Sequence, residues 1–191
     1  MSDEMSDETS DSLPDPSATD HDSQSLRLKS GRLVLRAGNE RDRPEIVALF
    51  ACPGVRRWWG SQDEDDIDEV IDRPEPEVTV LVIEHAGAVI GVVQFHEEDD
   101  PMYRHAGIDI AIHDDHQRQG FGTEAIQAVV DHLFANGHHR IVIDPNAANE
   151  AAIAAYASLG FQPVGTMRQY EWSEHEERWT DGLLMELLAN E

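Results

Sequence analysis

The chain has 191 residues and a formal net charge of -25, from 39 acidic against 14 basic residues. Nucleic acid and anionic membranes are poor partners for so negative a surface, whereas cationic substrates are favoured. The length allows one domain with a sizeable core, and the single cysteine, Cys52, excludes an internal disulfide.

The charge also has an explanation that needs no substrate. Acids are spread along the whole sequence, and Lys29 is the only lysine, as in proteins of salt-loving organisms, where salt screens the self-repulsion. No apolar run approaches the roughly 18 residues of a membrane span, and no signal peptide is visible. We therefore expect a cytoplasmic, halophilic protein. The 10 histidines show no zinc-site spacing, so no metal is expected.

The amino-terminal segment, residues 1–25, is acidic, serine-rich and nearly free of large apolar groups. Such a segment buries too little surface to offset its ordering entropy, so we predict a disordered tail followed by a single folded domain, residues 26–191. Alternation and apolar periodicity then predict, in order, a strand at 31–36, a helix at 42–51, a loop or short turn at 55–60 and an acidic helix at 64–71.

The remaining elements are predicted in the same way. They are a strand pair at 77–84 and 88–96, a strand at 108–112, a helix at 120–135, a strand at 139–143, a helix at 149–159, and an antiparallel pair at 161–171 and 178–187. The order βααβββαβαββ indicates a mixed α/β (α+β) fold.

The segment Gln117-Arg118-Gln119-Gly120-Phe121-Gly122 is the most informative part of the chain. It lies between an apolar strand and an amphipathic helix. Glycines let backbone N–H groups converge, and a helix N-terminus adds unpaired donors and a positive dipole end, which together favour phosphate. This position predicts a nucleotide-like cofactor, and hence an enzyme, although two glycines also suit a simple tight turn.

Two other phosphate motifs compete with this interpretation. The stretch from Gly120 to Ala125 fits G-x-G-x-x-A, with Asp144 about 20 residues on, as in dinucleotide-binding domains. However, residues 113–119 separate the glycines from the strand, and too little chain follows Asp144 for further βα units. A Walker A loop is excluded because no Gly-Lys-Ser/Thr follows.

These motifs resemble those of the GCN5-related N-acetyltransferases (GNAT). Residues 117–122 fit the family's acetyl-CoA motif Q/R-x-x-G-x-G/A, and residues 149–161, with Asn149, Tyr156 and Gly160-Phe161, fit its second signature. The strand from Gly87 to Gln94 is similar to the family's third strand. The resemblance covers residues 31–188. It implies a mostly antiparallel sheet that splays between its fourth and fifth strands and is flanked by about four helices.

Two branches of the family look similar. Residues 55–60, 107–109 and 144–146 are similar to segments of aminoglycoside 6'-N-acetyltransferases, whereas residues 32–36 and 178–183 are similar to the RimJ/RimL type, which acetylates protein N-termini. The resemblance therefore implies acetyl transfer from acetyl-CoA to a primary amine, in a polyamine-like or aminoglycoside-like molecule or at a peptide N-terminus. Edge strands of this fold also commonly form homodimers.

The resemblance also implies where coenzyme A binds. Backbone N–H groups near the glycines would hold the diphosphate, the strand from Ile110 would pair with the pantetheine arm, and the Ile112 N–H would face the thioester oxygen. Asn149 either caps its helix or binds that arm. The expected cofactor-binding residues are Ile110, Ile112, Gln117, Arg118, Gln119, Gly120, Phe121, Gly122, Thr123, Asn149 and Tyr156.

Asp109 and Tyr156 are the expected catalytic residues. A carboxylate is uncommon in the middle of a strand, and alternation turns Asp109 away from the isoleucines on either side, so it suits holding or deprotonating an amine. The alternative is a solvent-facing aspartate. Tyr156 matches the family's general acid, although it also suits a core position. Asp144 is a second acceptor-binding candidate or a turn residue before Pro145, and His96 and Glu97 are weaker candidates.

Trp58 and Trp59 are expected in a loop over the acceptor, where aromatic faces suit cations, or packed beneath that loop. Two other functions remain open at this point. One is a non-catalytic acyl-CoA-binding module, and the other is a small dinucleotide-binding oxidoreductase.

Overall fold

The computed structural model describes residues 26–71 and 78–190. The predicted acidic tail, residues 1–25, and the predicted strand start at Glu77 lie outside these residues. The strands are β1 (Arg27–Ser30), β2 (Leu33–Arg36), β3 (Val78–His85), β4 (Ala88–Glu98), β5 (His105–Ile112), β6 (Arg140–Ile143), β7 (Gln162–Ser173) and β8 (Arg178–Leu188). The α-helices are α1 (Arg43–Ala51), α2 (Pro53–Trp59), α3 (Glu64–Ile71), α4 (Phe121–Ala135) and α5 (Glu150–Ser158).

Most predicted elements are confirmed, but one expectation was wrong and one strand was not predicted. The stretch predicted as a loop at residues 55–60 belongs to helix α2, which begins at Pro53 and ends before Gly60. Proline is well suited to the first helical turn because its missing N–H would have no helical partner there. The strand predicted at residues 31–36 is confirmed as β2, whereas β1, which precedes it and pairs with it antiparallel, was not predicted.

The strands form one sheet in the order β1-β2-β3-β4-β5-β6-β8-β7. Every pairing is antiparallel except that of β5 with β6, which is parallel and is limited to Ala106 with Ile141 and Gly107 with Val142. Beyond Gly107 the two strands part. The predicted splay is therefore confirmed, since β5 and β6 are the fourth and fifth strands of the order predicted from the sequence. This splay opens one edge of β5 along the stretch that carries Asp109.

Two clusters of buried side chains pack on opposite faces of the sheet. Leu81 and Ile83 belong to the cluster that includes α4, whereas the alternate residues of β3, Val80 and Val82, belong to the cluster of α1, α2 and α3. Strand alternation places these two sets on different faces. Helices therefore cover both faces, and the splayed edge of β5 lies between the two layers.

A partly buried ion-pair network fixes the start of α1 on the sheet. Asp42, which is 7% exposed, accepts hydrogen bonds from Arg36 Nη1 at 2.7 Å and Nη2 at 2.8 Å. The same guanidinium donates from Nε to Glu84 at 2.8 Å. The Arg36 hydrogen bonds hold the pKa of Asp42 below its ordinary value despite the opposing effect of burial.

Candidate active site

A cavity of about 610 Å³ opens where β5 and β6 part. Its walls come from β5, the loop before α4, the starts of α4 and α5, the end of β6, and α2. Among the site residues predicted from the sequence, Gln119 and Phe121 do not line it. Those that do are Trp58, Trp59, Asp109, Ile110, Ile112, Gln117, Arg118, Gly120, Gly122, Thr123, Asp144, Asn149 and Tyr156.

The glycine turn leaves backbone donors unpaired at the start of α4. Gly120 has φ 82° in the left-handed region, which glycine adopts without strain, and Arg118 has φ 58°. The first N–H groups of a helix, here those of Phe121, Gly122 and Thr123, have no acceptor within it, and no side chain caps this helix. Because Gly120, Gly122 and Thr123 line the cavity, these donors and the helix dipole favour an anion there.

Two glutamine side chains brace the loop that leads to this turn. Gln117 Nε2 donates to the Ile112 carbonyl at 2.9 Å and to Asp114 at 3.1 Å. Gln119 Nε2 donates to the Asp115 carbonyl at 2.9 Å. Both amides therefore hold the loop in shape, and a direct contact of either side chain with a cofactor stays a prediction.

Arg32, in the turn between β1 and β2, supports the glycine turn from outside the cavity. It forms an ion pair with Glu124 at 2.9 Å and donates from Nη2 to the Gln119 carbonyl at 3.2 Å. Its guanidinium also lies 4.3 Å from the ring centroid of Phe121. Since the Phe121 side chain is buried in the core, it offers no side-chain contact to a ligand.

The backbone of β5 directs alternate N–H groups toward the open side of the strand. The His113 N–H donates to the Ile90 carbonyl at 2.9 Å and so points toward β4. In an antiparallel pair the neighbouring residues turn the opposite way, which directs the N–H groups of Ile112 and Ile110 toward the splay. An extended ligand can therefore pair with this strand where β6 no longer does.

Asp109 lies within this open stretch, in a largely desolvated position. Its carboxylate accepts a hydrogen bond from Gln94 Nε2 at 3.3 Å. Burial raises the pKa of Asp109 above its ordinary value, and the negative charge of Asp144 adds to this rise, while the Gln94 hydrogen bond and His96 oppose it. A carboxylate in such a position is a better proton acceptor than an exposed aspartate.

Tyr156, on helix α5, lines the same cavity as Asp109. Asn149 Oδ1 accepts from the Ala152 N–H at 3.2 Å and caps this helix, as one of its two predicted roles requires. Burial raises the pKa of Tyr156 above its ordinary value of 10.0, and the charges of Asp109 and Asp144 raise it further. The phenol therefore stays protonated, which suits a general acid.

The two tryptophans of α2 have different surroundings. Trp59 packs against Phe50 with ring centroids 5.8 Å apart, within the cluster beneath α1 and α3. Trp58 stacks under the Arg57 guanidinium at 4.6 Å. Both line the cavity, and they also line a second hollow that continues from it past Glu171.

Within residues 26–71 and 78–190, no group of three or more histidine, cysteine, aspartate or glutamate side chains could hold a metal ion. No described helix is long and apolar enough to cross a membrane.

Comparison with known proteins identifies the family. The profile of the Acetyltransferase (GNAT) family matches residues 43–161. The chain belongs to this family. It is an N-acetyltransferase, and the glycine turn before α4 falls within the matched region.

Relatives of this N-acetyltransferase cover most of its length. It is 31% identical over 155 residues to the uncharacterized N-acetyltransferase YoaA of Bacillus subtilis, covering 75% of this chain and 86% of that protein. The solved spermidine N-acetyltransferase of Vibrio cholerae is 24% identical with a TM-score of 0.72, covering 83% of this chain and 96% of that one. RimJ of Mycobacterium smegmatis is 20% identical with a TM-score of 0.72, covering 86% and 87%. These two likenesses show the fold.

Several residues at this N-acetyltransferase site were missed by the sequence analysis. Gln94 reaches Asp109 because the two residues are register partners on β4 and β5, and a polar residue within an apolar strand was the available signal. Glu171 lines the cavity and accepts from Asn146 Nδ2 at 2.6 Å. Tyr170, which lies outside the cavity lining but close to Asp144, gave no signal because an irregularity in β7 sets its direction.

Proposed function

We propose that this enzyme transfers the acetyl group of acetyl-CoA to a primary amine that enters the cavity as a cation. The observation that carries this proposal is a single cavity with two chemically different ends. The glycine turn presents unpaired N–H donors at one end, and Asp109, Asp144 and Tyr156 lie at the other. Such a cavity suits one ligand with a diphosphate and a second ligand with an ammonium.

The residues of the cavity fit coenzyme A. The N–H groups at the start of α4 suit its diphosphate, and Arg118 adds a positive charge beside them. The outward backbone of Ile110 and Ile112 suits the amides of the pantetheine arm, to which the side-chain amide of Asn149 also has access. When bound, acetyl-CoA supplies an activated thioester carbonyl.

The other end of the cavity suits acid–base chemistry. An alkylamine is largely protonated at neutral pH because its pKa is near ~10. Asp109 binds this ammonium and receives its proton as the nitrogen becomes a nucleophile. The Ile112 N–H stabilises negative charge on the carbonyl oxygen. Attack by the amine forms the C–N bond, and the C–S bond then breaks as Tyr156 donates its proton to the departing sulfur; the extra proton on the amide nitrogen passes to water, and Tyr156 regains a proton from water.

Three carboxylates favour a cationic acceptor. Asp109, Asp144 and Glu171 all line the cavity, and among its described lining residues the only arginine or lysine is Arg118, in the glycine turn. Trp58 adds an aromatic face. A polyamine, which the name of the Vibrio cholerae neighbour points to, an aminoglycoside and a protein N-terminus all meet this requirement.

Thermal unfolding and turnover test the proposal together. Saturating acetyl-CoA should raise the melting temperature of the protein, whereas NADH should not. In molar KCl, the enzyme should then consume acetyl-CoA with at least one amine among spermidine, kanamycin, L-phenylalanine and an alanine-initiated peptide. An unchanged melting temperature would contradict coenzyme binding. Binding without turnover on any amine would instead favour a non-catalytic acyl-CoA-binding module.

We also propose that the enzyme works in the cytoplasm at high salt, since its acidic surface repels itself at low ionic strength. A homodimer through an edge strand is a further expectation. β7 is an edge of the sheet, and Val164 and Trp172 on it are about half exposed, at 49% and 52%. Sedimentation velocity in molar KCl tests this expectation.

A further inference from the structure

A bulge in strand β7 sets the direction of Tyr170. The pairing of β7 with β8 shifts between Met167 and Glu171. Within this interval Gln169 has φ 52°, and its N–H donates to Asp181 Oδ1 at 2.8 Å. A bulge commonly re-aims a side chain beside an active site, and this one is fixed in place by the Asp181 carboxylate.

The ring of Tyr170 rests on the backbone of Gly182. A Cβ atom at Gly182 would lie 2.9 Å from Tyr170 Cδ1, closer than side chains tolerate. The same stretch of β8 holds the segment that follows Asp144, because Asn146 bridges to Gly182 and the Leu183 N–H donates to the Pro145 carbonyl at 2.9 Å. Tyr170 and Asp144 are therefore brought together on one stretch of backbone.

The hydroxyl of Tyr170 thereby comes within reach of the Asp144 carboxylate, to which it can only act as a hydrogen-bond donor. Hydrogen bonding to Asp144 raises the pKa of Tyr170 to about 12, with further contributions from burial and from the charges of Asp144, Asp109 and Glu171. The phenol therefore remains a donor throughout any practical assay range. Asp144, Asp109 and Glu171 all line the cavity, so the negative charges that act on this hydroxyl also face the space for the acceptor.

We propose that Tyr170 is a positioning residue for binding of the amine acceptor, and that it acts by orienting Asp144 as a second anchor for the ammonium beside Asp109. This inference rests on the proposed function. A donor that is hydrogen-bonded to one oxygen of a carboxylate also fixes the direction of the second oxygen. Asp144 can therefore bind the acceptor ammonium without a further loss of side-chain freedom. Asp109 is then left to receive the proton.

Two of the three tyrosines of the chain provide a matched pair of variants. Tyr170→Phe removes the proposed donor, and Tyr103→Phe makes the same change at a site that is 68% exposed in the turn between β4 and β5. Gly182→Ala keeps the Tyr170 hydroxyl but displaces its ring. The readouts are kcat and the KM values for acetyl-CoA and for whichever amine of the panel the wild type acetylates fastest, with thermal unfolding of each variant.

Tyr170→Phe should raise the KM for the amine roughly tenfold or more, as for the loss of a hydrogen bond to a charged group. The KM for acetyl-CoA should stay unchanged, a split that general loosening of the fold would not produce. Gly182→Ala should show the same amine defect, and Tyr103→Phe should behave as the wild type. An active wild type with Tyr170→Phe equal to Tyr103→Phe would refute this inference alone. A wild type that acetylates no amine would refute the proposed function, and this inference with it.

Discussion

Replacing Tyr156 with phenylalanine should separate catalysis from stability. The side chain is 9% exposed and its ring packs near Phe161, with centroids 6.3 Å apart, so phenylalanine keeps the packing. Among the described residues the Tyr156 hydroxyl has no hydrogen-bond partner to lose. The free energy of unfolding should therefore change by less than about 1 kcal/mol, whereas kcat should fall roughly 10²- to 10⁴-fold, the usual contribution of a general acid.

The assay follows the thiol released from acetyl-CoA, with Tyr103→Phe as the matched control and urea unfolding for stability. Burial raises the pKa of Tyr156 above 10.0, so the protonated, donating form persists to higher pH than in an exposed tyrosine. The kcat of the wild type should therefore not fall through ionisation of Tyr156 at any pH below 10.0. Turnover of Tyr156→Phe within about threefold of the wild type would refute the general-acid role.

Three further predictions concern other parts of the molecule. Asp109→Asn should lower kcat yet increase stability at neutral pH, because the raised pKa of Asp109 means that its ionised carboxylate destabilises the fold. This gain in unfolding free energy should disappear as the pH falls below 3.8, the ordinary pKa of the carboxyl group. A gain that persists in acid would contradict this prediction. Gly120→Val and Gly87→Val place valine at φ 82° and φ 87°, so each should lower the free energy of unfolding by about 1–2 kcal/mol. Only Gly120→Val should abolish the melting-temperature shift with acetyl-CoA. A shift retained by both variants would contradict the role of the glycine turn. Asp42→Asn should lower the free energy of unfolding in urea by about 1–3 kcal/mol, because it leaves Arg36 underpaired. Since the pKa of Asp42 is lowered in the folded state, its stabilisation is present above pH 3.8, the ordinary pKa of the group, and is lost as the pH falls through the folded-state pKa. A difference between variant and wild type that does not change in acid would argue against the ion pair.

The parts of the fold that were predictable are those with local signals. Helix α4 has an apolar stripe, and the turn before it has two glycines, of which Gly120 adopts the left-handed backbone that the turn requires. Helix α2 was missed because Pro53-Gly54 suggests a turn, although proline also begins helices. Local patterns therefore gave most of the element order but missed strand β1 and helix α2.

The supporting contacts of the site were not predictable from local patterns. Arg32 braces the glycine turn through Glu124, which lies 92 residues further along the chain. The direction of Tyr170 depends on a bulge whose left-handed residue is Gln169 rather than a glycine. No periodicity or motif marks such contacts, because they form only when the whole sheet is assembled.

The most direct test of the account is a crystal structure of the protein with coenzyme A. We predict that the diphosphate accepts hydrogen bonds from the N–H groups of residues 118–123, with the pantetheine arm along Ile110–Ile112 and the sulfur beside Tyr156. A diphosphate bound elsewhere, with the start of α4 making no contact to it, would contradict the account.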